Sequence, residues 1–252
     1  METHLADFIR HTAPGREAEE ILRKCVHCGF CTATCPTYQL LGDELDGPRG
    51  RIYLIKQVLE GAEPTEKTRL HLDRCLTCRS CETTCPSGVR YSRLLDIGRE
   101  VVAGKVPRQG QDAMTRAGLR TLLPRPAVFG PLMRMGQAFR GLLPGPLAAK
   151  IHPRTLPKGR PARLHRRRML MLEGCVQPSM MPNVNAATAR VLDRLGISIV
   201  DAAKAGCCGA VSFHLDDAEG ARRAARRNID AWWPAIEAGA EAIVMTASGC
   251  GA

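Results

Sequence analysis

A cysteine pattern that occurs twice constrains this chain of 252 residues more than any other feature. Residues 25–36 read CVHCGFCTATCP and residues 75–86 read CLTCRSCETTCP, so both follow C-x2-C-x2-C-x3-C-P. The N-terminal stretch METHLADFIRHTAPGREAEE carries charges throughout and lacks the apolar segment of an export signal, which favours a cytoplasmic protein with reduced thiols. Closely spaced cysteines in such a protein indicate metal binding rather than disulfide pairing.

The repeated pattern is the cysteine run that bacterial ferredoxins use to hold 4Fe-4S clusters. Each cube takes one thiolate per iron, and in two-cluster ferredoxins the fourth cysteine of each run binds the other cube. One motif alone therefore lacks a ligand that the second motif supplies. We predict a first cluster on Cys25, Cys28, Cys31 and Cys85, and a second cluster on Cys75, Cys78, Cys81 and Cys35.

A pair of structural zinc sites is the alternative interpretation of these cysteines. Zinc ribbons usually separate two C-x2-C pairs by a loop, and four cysteines within eleven residues do not follow that arrangement. His27 lies inside the first motif, and we expect it beside the cluster rather than on it, because four cysteines already suffice.

The region over residues 1–103 reads as a mostly helical ferredoxin domain. Apolar residues at helical spacing predict a helix in RIYLIKQVLEG, which Gly61 would end. A second helix is predicted in TEKTRLHLDRC, with Thr65 as its cap, and a third in YSRLLDIGREVVAG.

Residues 104–167 form a basic segment rich in Pro and Arg. Residues 101–170 contain fifteen Lys and Arg against one acidic residue, Asp112, so the net charge of +11 is concentrated here. Pro and Gly recur too often for one long helix, and short helices broken by prolines are expected. We interpret the segment as a linker or as a docking surface for a partner subunit or anionic lipid.

Residues 168–252 read as an α/β module. Short apolar strands alternate with helical stretches, which predicts a parallel sheet. Four cysteines follow the predicted strands, where open α/β sheets place ligands, and they are candidates for a further cluster or a zinc ion: Cys175, Cys207, Cys208 and Cys250. Buried thiols that act as small apolar side chains are the alternative. The fold class is therefore α+β overall, and the module looks incomplete because another helix is expected after Cys250.

The chain shows no motif for a nicotinamide or flavin site. No G-x-G-x-x-G follows a predicted strand, and neither a Walker loop nor a serine-histidine pairing is recognisable, so no catalytic residue is assigned. Iron-sulfur cubes pass single electrons, and a partner must therefore perform the substrate chemistry. A zinc-binding or nucleic-acid-binding protein is the alternative class, but the aromatic content of 4% argues against base stacking, and no nucleic-acid partner is expected.

Several segments together resemble the iron-sulfur subunits of bacterial glycolate oxidase, also called glycolate dehydrogenase. They are CVHCGFCTATCPTY, LDGPRGRIYLIKQVLEG, HLDRCLTCRSCETTCPSGVRYSRLLDIGR, GCVQPSMMPNVNAATARVLDRLGI and CCGAVSFHLDDAEGARRAARRNIDAWWP. The resemblance implies an α-helical ferredoxin followed by a cysteine-rich CCG module, a second half of which is missing here. The CxxC ending of the general CCG pattern is also not seen after Cys250.

The resemblance further implies a role in an oxidoreductase complex. Partner subunits that carry FAD or FMN would oxidise glycolate to glyoxylate, and this chain would pass the electrons to a quinone or another respiratory acceptor. It would lie in a hetero-oligomer, peripherally on the cytoplasmic face of the inner membrane. The ferredoxin motifs alone also fit subunits of heterodisulfide reductase, lactate-utilisation and anaerobic glycerol-3-phosphate dehydrogenase complexes, which remain alternatives.

Overall fold

The computed structural model describes residues 1–251. They divide into two compact units, the first over Met1–Gln109 and the second from Gly110 to the end of the described chain. The first unit contains the repeated cysteine motifs, and the second contains the α/β module. Within the described residues, no helix combines the length and the apolar character needed to cross a membrane.

The first unit is built from helices. Their bounds are α1 Asp7–Arg10, α2 Ala13–Lys24, α3 Phe30–Ala33, α4 Pro36–Leu41, α5 Pro48–Leu59, α6 Glu66–Asp73, α7 Ser80–Thr84 and α8 Tyr91–Lys105, with a 3₁₀ turn over Glu44–Asp46. The predicted helix ends are confirmed, since α5 ends two residues before Gly61, whose φ of 106° few other residues adopt. Thr65 caps α6 by accepting a hydrogen bond from the Thr68 N–H.

The hydrophobic core of this unit lies where α5 packs against α8, with α2 and α6 alongside. Ile55 of α5 and Leu94 of α8 are completely buried. The two helices approach closely at Gly98, where an added Cβ would lie 2.6 Å from Ile55 Cγ1. This packing fixes the ends of the helices from which the cysteine loops leave.

The two cysteine motifs share one backbone conformation. Each begins with a loop and continues into a short helix, α3 or α7, and these two helices pack against each other. Left-handed φ angles occur at equivalent positions, with 57° at His27 and 52° at Thr77, and with 87° at Gly29 and 60° at Arg79. Three of these residues are not glycine, so the loops hold a costly conformation in both copies.

The second unit combines helices with a small sheet. Its elements are α9 Gly110–Leu122, α10 Pro126–Ala138, α11 Gly145–Ala148, β1 Arg167–Leu172, α12 Gln177–Met180, α13 Pro182–Arg194, β2 Ile197–Val200, α14 Ala210–His214, α15 Ala218–Glu237, β3 Ile243–Met245 and α16 Ser248–Gly251. Helices α9 to α11 therefore occupy much of the basic segment. They break near Pro124 and Pro144, as predicted, whereas Pro131 lies inside α10.

The sheet is parallel and has the strand order β2-β1-β3. Leu170, Met171 and Leu172 of the central strand are buried, as a strand covered on both faces requires. All three strands end on the same edge of the sheet. The mixed, helix-rich fold with a small parallel sheet confirms the predicted class in its coarse form.

Candidate functional site

Five cysteines from both motifs line a first cavity in the helical unit. This cavity has about 440 Å³ of empty volume, and its lining includes Cys25, Cys28, Cys31, Cys81 and Cys85. Cys25 ends α2, Cys31 lies in α3, and Cys85 ends α7. Three thiols of the first motif thus face the same space as the last thiol of the second motif.

A second cavity has the reciprocal arrangement. Its empty volume is about 380 Å³, and its lining includes Cys35, Cys75, Cys78 and Cys81. Here three thiols of the second motif share the space with the last thiol of the first motif. Cys81 lines both cavities, so the two spaces are neighbours within the unit.

Cys31 and Cys81 have raised pKa values, so that their thiols stay protonated unless a metal binds. Burial raises the pKa of Cys31 to about 11 and that of Cys81 to about 12. Cys78 differs, because hydrogen bonds from the Ser80 N–H and hydroxyl lower its pKa. Metal binding to the buried thiols therefore has to release their protons.

The residues around the cavities fit a 4Fe-4S cluster in each. Such a cluster takes four thiolates, one per iron, and each cavity offers four cysteines in the crossed set. The first cavity is also lined by His27, whose Nε2 is buried and has no hydrogen-bond partner. Burial, followed by the charge of Arg49, lowers the pKa of His27, so its imidazole is neutral at physiological pH.

Two hydroxyl groups lie against sulfur atoms of the second cavity. Thr37 Oγ1 lies 3.2 Å from Cys35 Sγ, and the Tyr91 hydroxyl donates to Cys75 Sγ across 3.6 Å. Tyr91 is buried, and burial raises its pKa well above the ordinary value, so the hydroxyl keeps its proton. Both hydroxyls are positioned to interact with cysteine sulfurs rather than with solvent.

Thr37 is held by a buried polar network. It donates to the Asp46 carbonyl oxygen across 2.8 Å and accepts from Arg51 Nη1 across 3.1 Å. The side chains of Asp46 and Arg51 are completely buried and pair with each other across 3.4 Å. The Arg51 guanidinium therefore hydrogen-bonds to the same hydroxyl that lies against Cys35 Sγ.

The Asp46 carboxylate has three partners. It accepts from Arg51 Nη2 and from Arg74 Nη1, the latter across 2.7 Å, and His71 Nδ1 lies 3.1 Å away. Burial opposes ionisation, but the hydrogen bonds with His71 and Arg74 outweigh it and hold the pKa of Asp46 below its ordinary value. Asp43 also lies near this group, yet two guanidinium groups already neutralise Asp46, and the set is an ion-pair network rather than a cation site.

The four cysteines of the second unit lie together at the carboxyl edge of the sheet. Cys175 follows β1, Cys207 and Cys208 follow β2, and Cys250 lies in α16 after β3. Their thiols hydrogen-bond in series in that order. The backbone N–H of Gly209 also donates to Cys207 Sγ across 3.5 Å.

Hydrogen bonding among these four thiols lowers the pKa of two of them and raises the pKa of the other two. The bond with Cys207 lowers the pKa of Cys175 to about 7, and bonds with Cys207 and Cys250 lower that of Cys208. The same bonds raise the pKa values of Cys207 and Cys250, which act as donors. The arrangement favours thiolate at two of the four sulfurs, a state that metal binding and disulfide exchange both use.

The sequence did not identify Thr37, Asp46, Arg51 or Tyr91 as site residues. Asp46 meets His71 and Arg74 across 25 and 28 residues, and no local pattern links such positions. One usable signal exists, since Thr37 stands two residues after Cys35 just as Ser87 stands two residues after Cys85. The repeat thus indicates a hydroxyl beside each fourth cysteine.

Two protein families match this chain, one in each unit. Residues 21–89 match the family described as 4Fe-4S dicluster domain, and residues 169–252 match the cysteine-rich domain named CCG. The predicted pairing of a ferredoxin domain with a CCG module is therefore confirmed. No solved structure matches the chain.

Curated iron-sulfur subunits are similar to this chain, two of them over most of its length. The glycolate oxidase iron-sulfur subunit of Escherichia coli (strain K12) is 65% identical over 253 residues, which cover 100% of this chain and 62% of that protein. The probable glycolate oxidase iron-sulfur subunit of Bacillus subtilis (strain 168) is 33% identical over 94% of this chain and 59% of its own length. The succinate dehydrogenase iron-sulfur subunit of Paracoccus denitrificans is 27% identical over 38% of this chain. The chain spans about three fifths of the length of the first two relatives.

Proposed function

We propose that this chain, a homologue of glycolate oxidase iron-sulfur subunits along its whole length, is an electron-transfer subunit with two 4Fe-4S clusters. The observation that supports this most is the pair of adjacent cavities, since the lining of each includes three cysteines of one motif and the fourth of the other, with Cys81 shared between them. Bound 4Fe-4S clusters supply one-electron transfer. The protein contributes the sulfur ligands, the buried walls and the hydrogen bonds around them.

The cavity linings and the cysteine spacing support the following ligand sets. Cys25, Cys28 and Cys31 hold the first cluster together with Cys85 from the second motif. The second cluster takes the reciprocal set, which is Cys75, Cys78, Cys81 and Cys35. Cys81 lines both spaces, and the spacing within its own motif assigns it to the second.

The substrate chemistry belongs to a partner in this proposal. Flavin-bearing subunits oxidise glycolate to glyoxylate, and the chain carries the electrons onward to a quinone or another respiratory acceptor. The support is the similarity to two glycolate oxidase iron-sulfur subunits, together with the lack of a nicotinamide or flavin motif in the sequence. The basic segment over residues 104–167 suits peripheral attachment to an anionic membrane surface on the cytoplasmic side.

The cysteines of the second unit form a further candidate metal site. Cys175, Cys207, Cys208 and Cys250 offer four sulfur donors at one edge of the sheet. Sulfur donors suit either zinc or an iron-sulfur cluster. Thiols buried only as apolar side chains would not be expected to hydrogen-bond in series, with the pKa lowered at two of them and raised at the other two.

A thiol-disulfide function is the second candidate, in the manner of heterodisulfide reductase subunits. The observation that favours it is the lowered pKa of Cys208, because a thiolate is the attacking species in disulfide exchange. Its neighbour Cys207 would then be the resolving thiol. This candidate places the chemistry in the second unit and leaves the ferredoxin unit as the electron source.

The experiment that tests the proposed function is anaerobic isolation of the tagged chain from the membrane fraction of its host. We expect a flavoprotein to accompany it, and we expect glycolate to bleach the iron-sulfur absorbance of the complex. Glycerol 3-phosphate and lactate serve as matched control substrates. Bleaching by either control but not by glycolate would contradict the substrate assignment, and disulfide turnover by the chain alone would support the second candidate.

A further inference from the structure

The two cluster sites of the proposed function differ in the hydrogen bonds that their sulfurs receive. In the second cavity, Thr37 lies against Cys35 Sγ and Tyr91 donates to Cys75 Sγ. Ser80 also hydrogen-bonds to Cys78. Among the residues that the structure describes, no side chain donates to the sulfurs of the first set, which are Cys25, Cys28, Cys31 and Cys85.

The internal repeat allows the surroundings of the two cluster sites to be compared position by position. Within the two motifs, positions fifty residues apart are equivalent, and Ser80 corresponds to Phe30, which has no hydroxyl. Beyond the motifs the two segments fold differently, since Leu41 ends α4 whereas Tyr91 begins α8. Ser87 stands two residues after Cys85, as Thr37 does after Cys35, and it lines the first cavity; in the described part of the chain no hydrogen bond joins Ser87 to Cys85. The motif backbone is therefore shared, and backbone hydrogen bonds reach sulfurs of the first set as well, whereas the side-chain hydroxyls described above contact sulfurs of the second set.

The Thr37 hydroxyl has two possible acceptors for its single hydrogen. Arg51 Nη1 donates to Thr37 Oγ1, which occupies a lone pair of the hydroxyl and turns its hydrogen away from the guanidinium. The remaining acceptors are the Asp46 carbonyl oxygen at 2.8 Å and Cys35 Sγ at 3.2 Å. A ligating thiolate carries no proton of its own, so Cys35 can only accept, and its negative charge competes for the Thr37 hydrogen.

The net charge around the second cavity also favours the reduced state of its cluster. Beside Thr37, the buried Asp46 carboxylate pairs with the buried Arg51 and with the exposed Arg74, and these three groups sum to one positive charge. The charged pair beside the first cavity is Arg49 with Glu44, which sums to zero. Hydrogen bonds to the sulfurs and positive charge both stabilise the more negative, reduced state of a cluster.

We propose that Thr37 and Tyr91 raise the reduction potential of the cluster held by Cys75, Cys78, Cys81 and Cys35 above that of its neighbour, so that this cluster is reduced first. The inference rests on the proposed function, because it requires that both clusters are present. The difference in potential directs electrons from the cluster of Cys25, Cys28, Cys31 and Cys85 to the cluster of Cys75, Cys78, Cys81 and Cys35. Thr37 and Tyr91 act through the ligands and are positioning residues.

The test is a redox titration of the anaerobically prepared full chain, followed by low-temperature electron paramagnetic resonance. Cys78→Ser first identifies which signal belongs to the second cluster. Thr37→Val and Tyr91→Phe are each expected to lower the ratio of reduced to oxidised second cluster about tenfold at a fixed potential, a shift of about 59 mV for one electron. The double variant is expected to combine the two shifts, and the first cluster keeps its potential.

Two controls separate tuning from loss of structure. Thr37→Ser keeps the hydroxyl and is expected to keep the wild-type potential, and Ser87→Ala changes the equivalent position that has no sulfur contact. Unshifted potentials in Thr37→Val and Tyr91→Phe, in protein with full iron content, would overturn the inference, as would a first cluster that is reduced before the second. Wild-type protein without two clusters would instead overturn the proposed function.

Discussion

The fourth cysteine of each motif is the residue on which the proposed relay depends. Cys35 precedes Pro36 and lies in the second cavity, whereas Cys85 precedes Pro86 and lies in the first. Each proline is pinned at φ near −65° and turns the chain after its cysteine. The side chain of the fourth cysteine therefore points to the cavity of the other motif.

Pairs of substitutions measure which cysteines share a cluster. Cys85→Ser combined with Cys28→Ser removes two ligands of one cluster in the crossed scheme, so about four irons should remain in the ferredoxin unit. Cys85→Ser combined with Cys78→Ser removes one ligand from each cluster, so nearly all iron should be lost. Iron content per chain is the measurement.

The reverse pattern would contradict crossed ligation. If each motif held its own cube, the pair at Cys85 and Cys78 would leave one cluster intact. The pair at Cys85 and Cys28 would then damage both. Ser87→Ala is the matched control, because it changes the lining of the first cavity without removing a sulfur.

At the scale of elements, the crossing of α5 and α8 holds the cysteine loops in place. Gly98 allows the crossing, since any side chain there would meet Ile55. The buried pair of Asp46 and Arg51 ties the 3₁₀ turn to α5 on the other side. Packing between helices, rather than the loops themselves, therefore determines where the sulfurs lie.

Gly98→Ala is expected to destabilise the first unit by about 1 to 3 kcal/mol, because its Cβ would lie 2.6 Å from Ile55 Cγ1 and the core would have to shift. Gly104→Ala is the matched control in the same helix, since nothing lies within 4 Å of an added Cβ there. The control should instead stabilise by about 0.5 to 1 kcal/mol through helix propensity. Thermal unfolding of both variants is the measurement, and equal shifts would contradict the proposed packing role.

The sequence predicted those elements whose signals are local. The stop near Gly61 and the cap at Thr65 depend on a few adjacent residues, and both are confirmed. The alternation of strands and helices likewise predicted the parallel sheet. The ion pairs of Asp46 were not predictable, because they join residues from three elements and arise only when α5 and α6 have packed.

The ligand sets of the site stay a prediction, which the cavity linings support. The spacing of the cysteines indicated which ones belong together, because the repeat itself carries that information. The hydroxyls that contact sulfur were missed, since a threonine and a tyrosine have many reasons to be present in a helical domain. Tyr91 in particular reaches Cys75 only through the position of α8.

At the scale of the whole molecule, the chain combines two compact units that both carry grouped cysteines. The ferredoxin unit supplies eight cysteines in two cavities, and the second unit supplies four at the edge of a parallel sheet. The positive charge lies mainly in the segment over residues 104–167. In the proposed function, the two clusters of the first unit take all eight ligands from that unit.

Iron and acid-labile sulfide analysis of anaerobically prepared protein tests this account most directly. Two interlocked cubes require at least about eight irons with matching sulfide per chain, and any metal at the cysteines of the second unit would add to that number. We expect a brown protein that loses its colour in air. About four irons or fewer, or zinc in place of iron, would contradict the account.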